Sequence, residues 1–421
     1  GLLRNRMAVF KGLQIKMKFL ASLRSRQLPC LVQHVKFMSS APGSFKADDL
    51  TVELTKNPLP KPADPDKLLF GKEFSDHMLE VDWTVESGWG APRISPLKPF
   101  QMHPAAKVFH YAIELFEGMK GYHGVDGRVR LFRPDKNMAR MLSTARRSAF
   151  PDFDTVELTK LIKKLVQVDR EWVPQTTKSS LYIRPTMIAT EAGLGVAKPL
   201  ACKLFVITGP VGPYYPTGFN PVSLLADPKH VRAFEGGCGN FKMGSNYAPT
   251  IKIQMEALQK HDCQQVLWLY GKEHRVTEVG AMNVFLFWTN ENGEKELITP
   301  ELESGLILPG VTRFSLLELA RQWGEFKVTE AGFTMPQIVK ALKEKRVHEM
   351  FGAGTACVVC PVDSIVYDGE RHHIPTMDAG APLTNRFYKE LSDIHYGRTP
   401  SEWAIDIDEE ESASRVKASI R

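Results

Sequence analysis

Gly236-Gly-Cys-Gly-Asn-Phe-Lys242-Met-Gly-Ser-Asn-Tyr247 is the stretch on which the reading of this chain turns. A lysine set among glycines and small polar residues sits on tightly turned backbone, and such backbone lets a large planar ligand approach closely. An amine partly removed from water has a lowered pKa and can act as nucleophile or general base. By itself the stretch is more readily read as a solvated loop lysine. Its meaning therefore rests on its surroundings.

Outward from Lys242, a strand at Val222 to Ala226 precedes the glycines and a helix from about Tyr247 to His261 follows them. Strands are expected at Gln265 to Tyr270, Val284 to Thr289 and Lys295 to Thr299. A helix ends near Trp323, another spans Pro336 to Lys345, strands flank Cys357, and a last helix runs near Pro382 to Ile394. On the N-terminal side, helix-like spacing covers Pro104 to Gly118, a strand Arg128 to Phe132, and helices Pro134 to Arg147 and Val156 to Trp172. The last of these places Leu158, Leu161, Ile162, Leu165 and Val168 on one face. Strands follow at Ser180 to Ile188 and Lys203 to Thr208. Gly209-Pro-Val-Gly-Pro-Tyr-Tyr-Pro-Thr-Gly218 is the clearest break in the chain. The expected organisation is a leader over 1–44, a smaller domain over 45–210, a linker over 211–221, a larger domain over 222–403 and a disordered tail over 404–421. Strands and helices mix without strict βαβ alternation, so the fold class is α+β.

Size and composition agree. The chain has 421 residues, 43% hydrophobic and 24% charged, enough for two packed cores. No apolar run approaches the roughly 18–20 residues that a membrane span needs. The net charge of +6 is concentrated at one end: residues 1–46 hold nine basic residues and no acidic one, leaving −3 for the rest. The remainder thus gives no reason to expect nucleic acid as partner. The leader, basic and rich in Leu, Val, Phe and Ser, has the composition of a mitochondrial transit peptide, which points to the mitochondrial matrix. Met38 as an alternative start would leave a cytosolic form. The six cysteines form no disulfide framework, and Cys357-Val-Val-Cys360 lacks the second ligand pair that a zinc site requires, so no metal is expected.

Three further features could carry chemistry. Arg275-Val-Thr-Glu278-Val-Gly280-Ala-Met-Asn283 places a carboxylate where a strand gives way to a turn, and a pyridine nitrogen needs such an anion to stay protonated. Leu308-Pro-Gly-Val-Thr312-Arg opens a helix, whose free N–H groups and dipole favour phosphate. Phe351-Gly-Ala-Gly-Thr355-Ala-Cys357 has small residues that expose N–H groups to an anion.

In this order and spacing, these features resemble the fold-type IV pyridoxal phosphate enzymes, and within them the animal branched-chain aminotransferases. The resemblance runs from about Phe45 to Trp403. It is carried as well by Phe74-Ser-Asp-His-Met78, Leu115-Phe-Glu-Gly-Met-Lys120, Leu131-Phe-Arg-Pro134, Gln265-Val-Leu-Trp-Leu-Tyr-Gly271, Trp323-Gly-Glu-Phe-Lys327 and Gly354-Thr-Ala-Cys-Val-Val-Cys-Pro361. It implies two α/β domains joined by a short linker, with pyridoxal 5'-phosphate at their interface. It implies transamination of L-leucine, L-isoleucine and L-valine with 2-oxoglutarate, in branched-chain amino acid metabolism, by a homodimer.

By the same resemblance Lys242 holds the cofactor covalently and moves the substrate proton, Glu278 holds the pyridinium nitrogen, and Tyr247 bonds the ring's phenolic oxygen. Arg140, the Val311 and Thr312 amides and Thr355 hold the phosphate. Phe70, Tyr111, Phe116, Tyr182 and Tyr214 line the substrate pocket, Arg184 meets the second carboxylate of glutamate, and the amides of Ala281 and Ala356 meet the α-carboxylate. Ala281 stands where the family often has threonine, so a hydroxyl is missing there. Cys357 and Cys360 resemble the redox-responsive pair of animal members; two small buried hydrophobes would read the same way. A D-amino acid aminotransferase, an aminodeoxychorismate lyase, or a redox-regulatory protein on the same scaffold are the alternatives.

Overall fold

The computed structural model describes residues 43–212 and 220–409. The leader's basic stretch, Tyr214 with most of the expected linker, and the end of the tail lie outside the described residues.

The described chain is organised by two sheets. The first is built from Thr51–Val52 (β1), His77–Thr84 (β2), Gly88–Trp89 (β3), Arg93–Pro96 (β4), Glu114–Phe116 (β5), Met119–His123 (β6), Val129–Phe132 (β7), Ser180–Ala189 (β8) and Ala201–Val211 (β9). Its order is β1-β4-β2-β9-β8-β6-β7, with β3 on β2 and β5 on β8. The second comprises Val222–Ala226 (β10), Gln265–Tyr270 (β11), Arg275–Val279 (β12), Met282–Thr289 (β13), Lys295–Thr299 (β14), Lys327–Glu330 (β15), Val347–Gly354 (β16), Val358–Tyr367 (β17) and Glu370–His373 (β18). Here β12 pairs with β13 as well as β11, so β10, β11, β12, β13, β16 and β17 close on themselves. Closure removes the open edges that would otherwise invite pairing with other chains. It also explains the near-continuous burial of β13, whose apolar run has neighbours on both sides.

Helices cover these sheets for readable reasons. Pro134–Arg147 starts on a proline at its first turn, ends on Arg146 and Arg147, and buries Met138, Met141, Leu142 and Ala145 along one stripe. Thr155–Val168 is capped by Asp154, whose side chain accepts from the Val156 and Glu157 amides. Both pack on the first sheet around Leu79, Val81, Leu181 and Leu204. Val311–Trp323 and Pro382–His395 lie on the second sheet. There Phe285, Phe351 and Phe387 share a cluster with Tyr122 and Phe132 of the first sheet. Burying each such ring contributes about 1.5–3 kcal/mol, so this cluster fixes the two sheets together.

The structure departs from the sequence reading in three places. The helix expected over Pro104 to Gly118 is one short turn, Lys107–Tyr111, because Ala112 turns left-handed at φ 48° and β5 then pairs with β8. The tail begins ordered: Ala404–Asp406 forms a last strand (β19) on β7. Arg275–Val279, expected as the connection between two strands, is itself a strand. Among the described residues no helix is long and apolar enough to cross a membrane.

Candidate active site

Lys242 sits where the two sheets meet. Its backbone amide donates to Thr144 Oγ1 on the helix Pro134–Arg147 (3.1 Å), and its carbonyl accepts from the Phe116 amide on β5 (3.1 Å). Its neighbour Met243 bridges Leu115. The glycine pattern has a steric cause here: a Cβ on Gly244 would lie 2.0 Å from Glu114 Oε1. With its backbone held on both sides, the lysine reaches Tyr247 with Nζ 3.1 Å from the phenol oxygen, and passes 4.5 Å from the centre of the Phe116 ring.

Glu278 lies near the end of β12, opposite Asn283 of β13, at the pairing that closes the barrel. It is 3% exposed. Its Oε1 accepts from the Leu308 amide (2.7 Å) and from Asn283 Nδ2 (3.2 Å), and Oε2 lies 3.0 Å from Arg232 Nε. Burial pushes its pKa up, and the Arg232 guanidinium, the Leu308 amide and the charge of Lys242 offset only part of that. The carboxylate is thus short of positive charge.

A third group gathers at the start of the helix Val311–Trp323. No side chain caps this helix, so its first amides remain available to an anion. Arg140 Nη1 donates to Pro309 O (2.9 Å), which puts the guanidinium beside that helix start. Val311, Thr312 and Thr355 line one small cavity of about 20 Å3 with Asn137 and Val358. The helix-start residues, Thr355 and Arg140 are thus brought together.

Phe116, Tyr182 and Arg184 cluster next to Lys242. The Phe116 and Tyr247 rings are 5.0 Å apart, Phe70 packs edge-on to Tyr182 at 4.8 Å, and Arg184 Nη2 donates to the Tyr182 hydroxyl (3.1 Å). The Arg184 guanidinium lies 4.7 Å over Phe116, while its buried Nε has no hydrogen-bond partner among the described residues. Tyr111 is not brought to this cluster: it is 37% exposed, and its hydroxyl donates to Leu194 O at the surface. Ala281 is exposed in the β12–β13 turn, and Ala356 lies half-buried in the turn between β16 and β17. Cys357 and Cys360 are both buried and not in a disulfide. The Cys357 thiol donates to Met282 Sδ at 3.2 Å, and burial pushes its pKa up to about 12, so it presents no thiolate in this state.

Several residues that build the site escaped the sequence reading. Glu117, fully buried, holds Arg140 Nε and Nη2 at 2.7 Å each and also accepts from Asn137 Nδ2 at 2.8 Å. Burial alone would raise its pKa, but Arg140 holds it below the ordinary carboxylate range. Its signal was available, a charge inside the apolar run Leu115 to Met119. Arg232, which pairs with Glu278 and donates through Nη2 to Gly239 O and Leu306 O, gave none. Lys120, buried, donates to Ala356 O at 2.8 Å.

Residues 114–365, which contain most of these groups, match the family described as amino-transferase class IV. The chain is 56% identical over 365 residues to the cytosolic branched-chain-amino-acid aminotransferase of Mus musculus, covering 86% of this chain and 94% of that protein. To the mitochondrial branched-chain-amino-acid aminotransferase of Bos taurus it is 54% identical over 368 residues, 87% of this chain and 93% of the other. The fold matches that of the branched-chain aminotransferase of Thermoproteus uzoniensis with norvaline, at a TM-score of 0.63 and 20% identity over 78% of this chain and 99% of that one. The chain therefore belongs to the class IV aminotransferases and, within them, to the branched-chain-amino-acid aminotransferases.

Proposed function

We propose that the protein transfers the amino group of L-leucine, L-isoleucine and L-valine to 2-oxoglutarate, giving branched-chain 2-oxo acids and L-glutamate, with pyridoxal 5'-phosphate bound at Lys242. The residues fit that group. An uncapped helix start beside an arginine suits a phosphate dianion, and a buried carboxyl short of positive charge suits a protonated pyridine nitrogen. When bound, the cofactor supplies an electron sink for the bond broken at the substrate's α-carbon.

The chain's own groups do the rest. Lys242 Nζ would anchor the cofactor and, as the free amine, would carry the proton from the donor's Cα to the cofactor's C4′ carbon and, in the second half-reaction, from there to the Cα of the glutamate formed. Tyr247, 3.1 Å from that amine, steadies the cofactor ring through its hydroxyl. Glu278 keeps the ring nitrogen protonated. Arg140, with Val311, Thr312 and Thr355, holds the phosphate, and Glu117 fixes the plane in which Arg140 presents its remaining N–H groups. The amides of Ala281 and Ala356 bind the α-carboxylate. Phe70, Phe116 and Tyr182 exclude water from a branched side chain. Arg184, whose Nε lacks a partner among the described residues, takes the second carboxylate of glutamate.

The observation that carries this reading is the meeting of Lys242 with Tyr247 and Phe116 at the seam between the sheets. Phe109, Tyr111, Leu194 and Val196 are exposed, and the Tyr111 hydroxyl donates to Leu194 O; apolar side chains left open in this way support a homodimer that buries them. The relatives include cytosolic and mitochondrial forms, and the basic leader favours the mitochondrial matrix here.

Borohydride reduction followed by peptide mapping tests the anchor, with a phosphopyridoxyl adduct expected on Lys242; an adduct on another lysine refutes it. A panel of amino donors tests the substrate, with turnover expected for L-leucine. Turnover of D-alanine without L-leucine defeats the reading.

A further inference from the structure

The turn Thr355–Cys357 between β16 and β17 faces two ways. Thr355 and Val358 line the small cavity beside Thr312, and Ala356, Cys357 and Val358 line an adjoining cleft of about 320 Å3, with Lys120, Tyr122 and His395 bordering both. Val358, which closes the turn, holds φ at +64°. A β-branched residue is rarely found in that left-handed region, and such strain persists only where the surroundings over-determine it. One such constraint comes from the opposite sheet. Lys120 of β6 is 7% exposed, and its Nζ donates to Ala356 O at 2.8 Å across the seam.

Among the described residues no carboxylate lines the cleft to compensate this ammonium. The groups facing it are the Cys357 thiol, the His395 ring, and the phenols of Tyr122 and Tyr396, with Lys178 and Tyr388 at the exposed rim. Burial keeps the first four uncharged at neutral pH, His395 being pushed down to about 3 and Cys357 up to about 12, with Tyr122 and Tyr396 raised. A desolvated cation with a peptide carbonyl as its acceptor concentrates its field on that peptide.

We propose that Lys120 is a positioning residue that holds the Ala356 carbonyl from behind and so keeps the Ala356 amide turned to the substrate side. This role presupposes the assignment of the Ala356 amide to the substrate carboxylate. Burial lowers the Lys120 pKa to about 8, so the charge that strengthens the clamp is present below that pH and lost above it.

The test uses the holoenzyme. Lys120→Met keeps the length and apolar packing of the side chain and removes its charge and its donor. It is expected to raise KM for L-leucine about tenfold, the worth of one charge-assisted hydrogen bond. It should weaken competitive inhibition by 4-methylpentanoate equally, while kcat, the cofactor absorption band and inhibition by isoamylamine, which has no carboxylate, hold. Lys120→Arg should restore KM and keep it flat between pH 7 and 9, where that of the wild type rises. Adding Val358→Gly to Lys120→Met should recover part of the loss, since glycine adopts φ +64° without strain. Unchanged KM and inhibitor binding in Lys120→Met overturn the proposal. So does a parallel loss of KM, kcat and Tm that Val358→Gly leaves uncorrected. If Lys120→Met does not fold, the pH profile of Lys120→Arg against wild type decides. Failure of the transaminase reading would appear in the wild type itself, as no turnover of L-leucine.

Discussion

Each sheet brings one buried glutamate–arginine pair to the site, and the two pairs are solvated in opposite ways. On the first sheet, Glu117 receives two N–H groups from Arg140 and one from Asn137, all within 2.8 Å, and its pKa falls despite full burial. On the closed part of the second, Glu278 meets Arg232 through Nε and takes one backbone amide and one long contact from Asn283, and its pKa rises. Identical residue types thus give a saturated strut and an under-compensated anion. Burial costs both carboxylates several kcal/mol, and the number and directness of donors decide the sign. The first pair holds an arginine in place; the second waits for a cation.

The contrast can be broken by exchanging charge for amide at each glutamate. In the cofactor-free protein, Glu117→Gln leaves Arg140 buried without its counter-ion and is expected to cost roughly 3–5 kcal/mol of stability. Glu278→Gln also leaves a buried arginine, Arg232, without its counter-ion, but it removes a charge the fold disfavours and is expected to cost less, roughly 1–3 kcal/mol. Activity should rank the second substitution high, with kcat reduced about 10²-fold because the pyridinium partner is gone. Denaturant melts of the two apo variants with kcat of the reconstituted enzymes check both halves. Equal stability losses would mean that the two pairs do the same structural work.

A smaller, pH-dependent difference sharpens the same point. The depressed pKa of Glu117 means its stabilisation is present above the unfolded carboxylate value, and is lost as pH falls toward the folded one. The raised pKa of Glu278 works in reverse, contributing below the unfolded value and fading as pH rises through the folded one. The Tm deficit of apo Glu117→Gln against wild type should therefore shrink from pH 7 to pH 4. Any deficit of apo Glu278→Gln should grow over the same interval. Parallel curves would refute the opposed shifts.

How far this was legible in the sequence depends on the range of each interaction. Pro134–Arg147 was readable to the residue because its start, its stripe and its basic end are local signals. Lys242, Glu278 and Thr312 were singled out by resemblance, since local pattern alone favoured a loop residue for the first two and an ordinary helix cap for the third. Arg232 and Lys120 were missed because what defines them is a partner on another element, Lys120 lying 236 residues from its acceptor. The helix over Pro104 to Gly118 failed for the same reason: tertiary pairing of β5 with β8 overrode helical spacing. Burial pairs of this kind leave no periodicity to read.

The smallest effect expected is at Ala281, and it asks how much of the second sheet's contribution is backbone alone. The β12–β13 hairpin is set by its neighbours. Gly280 sits at φ +56° with Gln265 Oε1 2.0 Å from where a Cβ would be, and its carbonyl accepts from Trp268 Nε1 at 2.9 Å. Val279 pairs with Met282 across the turn. Ala281 is exposed, so a larger side chain meets no packing there, and Ala281→Thr should change stability by less than about 0.5 kcal/mol. If the Ala281 amide binds the α-carboxylate, the added hydroxyl supplies a second donor. One net hydrogen bond of roughly 0.5–1.5 kcal/mol then lowers KM for L-leucine between about twofold and tenfold, with kcat unmoved. A KM that stays put would place the hydroxyl away from the carboxylate, leaving the amides of the turn as the hairpin's whole share in binding.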